Sequence, residues 1–222
     1  MKYIGMPLGM WFLFKKSFCN NLVLVLGMTP AEAKRVTKQA KSEYKRIISK
    51  LPAFEKGDRF KMNIVNCAMF SAFYLHIPEK PDIELLAEYY NKSMMTKPTR
   101  WFCRQSGKNK FTDKDIRAMK ATAQFNAADR NPYSWNMELL PYADGSGYEA
   151  RFSKCGICTL MKELGIFEAV PAMCRLDYAM TQAGETAEFV RKYTLASGGP
   201  YCDCGYKKKG IMEGMQCQDM MK

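Results

Sequence analysis

Between Gly198 and Gly210 the chain reads GGPYCDCGYKKKG. Gly-Gly-Pro is turn chemistry, and the run that follows reads as a strand. Side chains alternate along a strand, so Cys202 and Cys204 share one face and Asp203 takes the other. This strand decides the fold class, because its neighbours then read as a small sheet. Upstream, TAEFVRKYTLAS (186–197) alternates Phe189, Arg191, Tyr193 and Leu195 against Val190, Lys192 and Thr194, as a second strand would. Further upstream, YSWNMELLPYADGSGYEARFSKC (133–155) is a hairpin signal centred on Asp144-Gly145, its second strand leading into Cys155. Between hairpin and strands, GICTLMKELGI (156–166) predicts a short helix and Glu168–Ala183 another.

The chain before Pro132 reads as helices. MPLGMWFLFKKSFCNNLVLVL (6–26) is apolar enough for a buried helix, with a break expected near Asn20-Asn21. Thr29-Pro30 opens the next, threonine as cap and proline in the first turn. Along it Val36, Ala40, Tyr44, Ile47 and Leu51 make an apolar stripe, with Lys34, Lys38, Lys41 and Lys45 off it. Arg59–His76 is apolar nearly all round, which predicts a central helix. DIELLAEYYNKSMM (82–95) places Ile83, Leu86, Tyr90 and Met94 on one side, and TDKDIRAMKATAQFNAADR (112–130) starts with a capping pattern at Thr112 and Asp115. No regular βαβ alternation occurs, which argues against a doubly wound sheet. The expected fold is α+β, with a helical N-terminal half packed on a C-terminal antiparallel β-sheet with short helices. A single domain is expected over residues 1–222. Within it, residues 1–131 are mainly helical, residues 132–209 are α+β and carry the Cys/Asp motif, and residues 210–222 are a tail.

The chain has 222 residues, enough to bury a core without disulfides. Its net charge is +12, but much of the excess lies on the solvated face of one helix and in Lys207–Lys209. No nucleic-acid module accompanies it, so specific nucleic-acid binding is not expected. The apolar runs near the N-terminus are too short to span a bilayer and lack a cleavage site. Nine cysteines, an odd number, suit a reducing compartment; the expected location is the cytoplasm, with free thiols.

The chemistry-bearing residues concentrate in the last third. Cys155-Gly-Ile-Cys158 is a CxxC and Cys202-Asp-Cys204 a CxC; together Cys155, Cys158, Cys202 and Cys204 are a candidate set for zinc or an iron–sulfur cluster. Two thiols packed in a core explain the CxC equally well. His76, the lone histidine, ends an apolar helix, where a dipole partner is the ordinary reading. Acid–base work therefore falls to thiols and carboxylates. Cys174 and Asp177 lie three apart, on one helix face, with Arg175 and Arg191 as the ordinary partners of that acid. No glycine-rich phosphate loop and no GxSxG elbow is present.

Taken in order, FSKCGICTLMKELGIFEAVPAMCRLDYAMTQAG (152–184) and FVRKYTLASGGPYCDCGY (189–206) resemble the C-terminal region of the L-2-amino-thiazoline-4-carboxylic acid hydrolase family. The matching positions are Cys155, Glu163-Leu164-Gly165, Cys174, Asp177, Arg191, Thr194, Gly198 and Cys202-Asp203. Cys158 and Cys204 stand outside the pattern, which leaves room for a metal in this member. The resemblance implies a hydrolase that opens a cyclic amidine-like ring at its C–S bond, giving a carbamoyl-cysteine, in cysteine metabolism, on a small-molecule substrate and without a required cofactor. It implies Cys202, Asp203, Asp177, Cys174 and Glu163 as candidate catalytic groups. Arg191, Thr194 and Cys155 are the implied substrate-binding groups. A weaker, architectural similarity to small-molecule-binding domains of the vinyl reductase type supports a rival class, a ligand- or metal-binding sensor without turnover. It also makes a homodimer a candidate assembly.

Overall fold

A computed structural model describes residues 7–210. The expected tail, with Cys217, lies outside the described residues. The helices are α1 (Pro7–Leu24), α2 (Pro30–Lys50), α3 (Lys61–His76), α4 (Ile83–Met94), α5 (Lys97–Lys108), α6 (Asp113–Ala127), α7 (Gly156–Glu163), α8 (Val170–Cys174) and α9 (Leu176–Gly184). The strands β1 (Asn136–Pro141), β2 (Gly147–Lys154), β3 (Ala187–Val190) and β4 (Cys202–Lys208) form one antiparallel sheet in the order β1-β2-β4-β3. The class is α+β, as the sequence predicts. No helix among the described residues is long and apolar enough to cross a membrane.

The helical half forms around α3. Every residue from Cys67 to Tyr74 is buried, because α1, α2, α4 and α7 pack around it. α2 supplies its predicted stripe: Ala33, Val36, Ala40, Tyr44 and Ile47 are buried, and its lysines are exposed. Burying a residue the size of Val36 or Ile47 contributes about 1.5–3 kcal/mol. Its first turn is closed by a full capping box, Glu32 N–H to Thr29 Oγ1 at 3.3 Å and Thr29 N–H to the Glu32 carboxylate at 2.8 Å. Rings from α1 lock onto the same core, Trp11 against Tyr44 and Phe73 at 5.6 and 5.7 Å, and Phe18 against Phe73 at 4.9 Å.

Four expectations are corrected. α1 runs unbroken through Asn20-Asn21: Asn21 turns its amide back to donate to the Ser17 carbonyl at 2.9 Å, a contact made within the helix. α5 is an additional helix, although Thr96 caps it and Pro98 stands in its first turn, the signal that marks α2. The helix expected over Glu168–Ala183 is a 3-10 turn followed by α8 and α9, interrupted at Arg175. The strand expected through Leu195 ends at Val190. Beyond it the Asp203 carboxylate accepts from the backbone N–H groups of Lys192 and Tyr193, at 2.8 and 2.6 Å, and draws the chain off the ladder.

The sheet is two-sided in the manner the CxC predicts. Cys202 and Cys204, paired in register with Phe152 and Ala150, face inward with Met137 and are packed against Met119 and Ala123 of α6. Asp203, paired with Arg151, faces the other way. α5 and α9 cross closely at Gly107: a Cβ there would lie 2.1 Å from the Gly184 carbonyl oxygen, so only glycine allows this contact.

Candidate active site

Cys155 ends the approach from β2 and is the residue that caps α7. The next residue is a glycine for a steric reason. A Cβ on Gly156 would meet the Tyr133 carbonyl oxygen at 2.0 Å, so the first turn of α7 fits under the 133–135 segment only without a side chain. That fit places the Cys155 sulfur before the open N–H groups of the helix. The sulfur closes no cap hydrogen bond of full geometry. The N–H groups of Ile157 and Cys158 and the indole N–H of Trp135 act on it as a nearby positive field.

The strongest influence on Cys155 is its motif partner. The Cys158 thiol donates to the Cys155 sulfur, and with the amides this outweighs burial and holds the Cys155 thiol down to about 7. Cys158 is pushed up correspondingly, by that same contact first and by burial second. The first proton thus leaves the pair from Cys155. Every other thiol with a shift moves the opposite way. Burial raises Cys202, raises Cys204 to about 12, and pushes Cys174 up as well.

Around Cys155 the sheet and α8–α9 assemble a polar wall. Arg191, with a side chain only 6% exposed, donates to the Asp177 carboxylate at 2.5 Å, the Cys174 carbonyl at 2.9 Å and the Cys204 sulfur at 2.8 Å. Its Nε is buried without a partner among the described residues. Burial works against this guanidinium, but the Asp177 carboxylate and the Cys204 sulfur keep it firmly charged. Arg175, the other candidate partner of Asp177, is paired with Glu84 instead. Cys174 and Cys202 each feel both Cys155 and the Arg191–Asp177 pair, so these groups form one electrostatic neighbourhood. Cys202 Sγ accepts from the Leu195 N–H at 3.2 Å.

Three expected site residues stand elsewhere. Asp203 lies on the outer face of the sheet, with both carboxylate oxygens on backbone N–H groups. Thr194 caps its own 3-10 turn, accepting from the Ser197 N–H at 3.1 Å. Glu163 closes the far end of α7, about 12 Å along the axis from Cys155. There it accepts from the Tyr133 hydroxyl at 2.7 Å and faces a cavity of about 460 Å³ shared with His76, Arg46 and Lys50. His76 therefore lies with Glu163, away from the thiols.

The four-thiol metal set is not gathered as a ligand cage. Among the described residues no group of three or more His, Cys, Asp or Glu is placed to hold a metal ion. Cys204 is engaged by the guanidinium of Arg191, a cation already in position, and Cys155 by Cys158. Five surface cavities of about 180 to 630 Å³ are evident among the described residues, and none of the five is lined by Cys155, Cys158, Cys174, Cys202 or Cys204. The segment 191–201 packs over this wall through Leu195 and Ala196.

Sequence reasoning places Cys155 among the binding groups and in the candidate metal set, and does not show its lowered thiol. A CxxC opening a helix is the available signal. Nothing local points to Trp135, which comes from a segment 20 residues upstream.

The model of the L-2-amino-thiazoline-4-carboxylic acid hydrolase family matches residues 62–206, which takes in α3 through β4 and all of the wall described above. No curated protein and no solved structure matches the chain. Because the match spans well over half of the sequence and ends within β4, the chain belongs to the L-2-amino-thiazoline-4-carboxylic acid hydrolase family.

Proposed function

We propose that the protein opens a small cyclic isothiourea of the L-2-amino-thiazoline-4-carboxylate type, with Cys155 as covalent nucleophile. The observation that carries this reading is the lowered thiol of Cys155 beside a thiol donor, at the start of a helix. The Cys155 thiolate adds to the ring carbon between nitrogen and sulfur as the ring nitrogen takes a proton from Cys158. The C–S bond of the ring then breaks, and the ring sulfur leaves as a thiolate held within the same molecule. Water next adds to the enzyme-bound isothiouronium carbon and expels Cys155 as thiolate. The protons released reprotonate Cys158 and the substrate thiolate, so substrate plus water becomes carbamoyl-cysteine.

Arg191 is the candidate anchor for the substrate carboxylate, since its buried Nε has no partner among the described residues. Asp177, half-exposed beside it, is the candidate base for the incoming water. Segment 191–201 must swing away to admit substrate, because none of the five cavities reaches this group of thiols. Asp203 then serves as the hinge pin of that segment, through Lys192 and Tyr193.

The test is turnover of L-2-amino-thiazoline-4-carboxylate by the reduced protein, read as carbamoyl-cysteine. Wild-type turnover that Cys155→Ser lowers by at least about 10³-fold, and Cys202→Ser by far less, supports the reading. Turnover that survives Cys155→Ser removes the nucleophile. Absence of turnover in a folded protein, with the ligand still bound, favours the binding protein without catalysis.

A further inference from the structure

A second cavity, of about 180 Å³, opens between α5, α9 and the edge of the sheet. Its wall includes the apolar side chains of Phe102, Met180 and Ala187 and the polar ones of Ser106, Thr181 and Lys110. Lys110 is the unusual member. Its ammonium lies 3.4 Å from the centre of the Tyr206 ring and 5.0 Å from that of Tyr148, and no hydrogen bond or ion pair from the described residues completes its shell. The nearest acid, Asp115, is turned to other work: its Oδ2 accepts from the Tyr148 hydroxyl and the Phe111 N–H, both at 2.9 Å.

The backbone that delivers Lys110 is strained. Phe111 has φ of 65°, in the left-handed region, which a bulky residue rarely adopts. Asp115 holds that conformation through the Phe111 N–H, and the turn is closed by Lys110 N–H to the Gly107 carbonyl at 2.9 Å. Strain kept at one residue and a half-buried charge without an ion pair beside it are features that cluster where a ligand binds.

We propose that this cavity binds a small monocarboxylate, its charged end on Lys110 and its alkyl end on Phe102, Met180 and Ala187. An anion supplies the counter-charge that no ion pair among the described residues supplies, while the two tyrosine faces take the place of part of the ammonium's water. The volume is that of about six water molecules at roughly 30 Å³ each, which suits a chain of about four carbons. The lining includes none of Cys155, Cys158, Cys174, Cys202 and Cys204, and the proposal does not depend on the hydrolase reading.

The charge state of Lys110 makes the binding proton-linked. Burial holds its ammonium down to about 8, opposed by Asp115 and Cys204 and assisted by Arg59. Tyr148 and Tyr206, which also face it, are both pushed up and stay neutral. Cys103, on the same wall, is raised by burial and is neutral as well. A carboxylate that binds only the charged amine therefore takes up a proton near pH 8 and binds about tenfold more weakly at pH 9.0 than at pH 7.0.

The experiment is calorimetric titration of the full chain with butanoate at both pH values, in two buffers of different ionisation enthalpy. Saturable binding with proton uptake, about tenfold weaker at pH 9.0, is expected. Lys110→Met abolishes it and Lys110→Arg retains binding but removes the pH dependence. Butanamide, which lacks the charge, does not compete in the wild-type protein, so one control needs no variant. No binding at millimolar butanoate, pH-independent binding, or equal competition by butanamide overturns the proposal.

Discussion

Cys67 and Cys155 stand near enough that Cys67 feels the charge of Cys155, and they behave as opposites. Cys67 lies in the middle of α3, fully buried, with the Ser71 hydroxyl 3.9 Å away as its polar contact, and burial drives its thiol far up. Cys155 is also largely enclosed, yet it is held down, first by the Cys158 thiol beside it and then by the N–H groups of Cys158 and Ile157 at the open end of α7. The same side chain is pushed up where backbone N–H groups are spent on the helix ladder and held down where a thiol donor and free N–H groups face it. Local donors, more than burial, separate the thiol of the packed half of this molecule from that of the half proposed to carry the chemistry.

The largest change expected is in the packed half. Phe73→Ala removes a ring that contacts Trp11 and Phe18 and costs about 3–5 kcal/mol in urea unfolding. If the two regions are as distinct as described, the folded variant keeps a Cys155 midpoint near 7; a midpoint displaced with the core would break the comparison. Next comes Gly156→Ala, which forces α7 away from the Tyr133 carbonyl. It costs about 1–3 kcal/mol by overpacking and moves the Cys155 thiol up, toward the behaviour of Cys67. An unchanged thiol midpoint in this variant would show that the fit at Gly156 does not place the sulfur.

Cys158→Ala sharpens the contrast by removing the largest single cause of the lowered thiol. The Cys155 midpoint, read by thiolate absorbance, rises by about one unit, a factor of about five in thiolate at pH 7. The remaining effect is on stability. The Cys155 thiol is lower in the folded chain than the roughly 8.5 of an unfolded one. Its contribution is therefore fully present above about 8.5 and is lost as pH falls through 7. Cys155→Ser should then cost about 2 kcal/mol more at pH 9.0 than at pH 6.0, and a difference of the opposite sign would contradict the assignment.

What the sequence disclosed follows from how locally each feature is determined. The stripe of α2, the all-apolar α3 and the two-faced CxC strand are written in periodicities of a few residues, and all three stand as read. The inward and outward division of Cys202, Cys204 and Asp203 is legible for the same reason. The early end of β3 is not, because it depends on a carboxylate 13 residues beyond it in the chain. Nor is the role of Asp203, whose partners are backbone groups that carry no sequence signature. Cys155 is visible as half of a CxxC, while the setting that lowers its thiol, Gly156 beneath Tyr133 and the indole of Trp135, is made by contacts with a preceding segment. Glu163 is drawn to the site by the family pattern, while the length of α7 carries it to the other end.

The most direct test of the central claim is alkylation of the reduced protein with iodoacetamide across pH 5.5–9.5, each cysteine quantified by peptide mass spectrometry. The account predicts that Cys155 reacts first, with a midpoint near 7, at least about tenfold ahead of Cys67, Cys174 and Cys204 at neutral pH. Labelling that begins at Cys202, or that rises for all thiols together only above about pH 8.5, would contradict it.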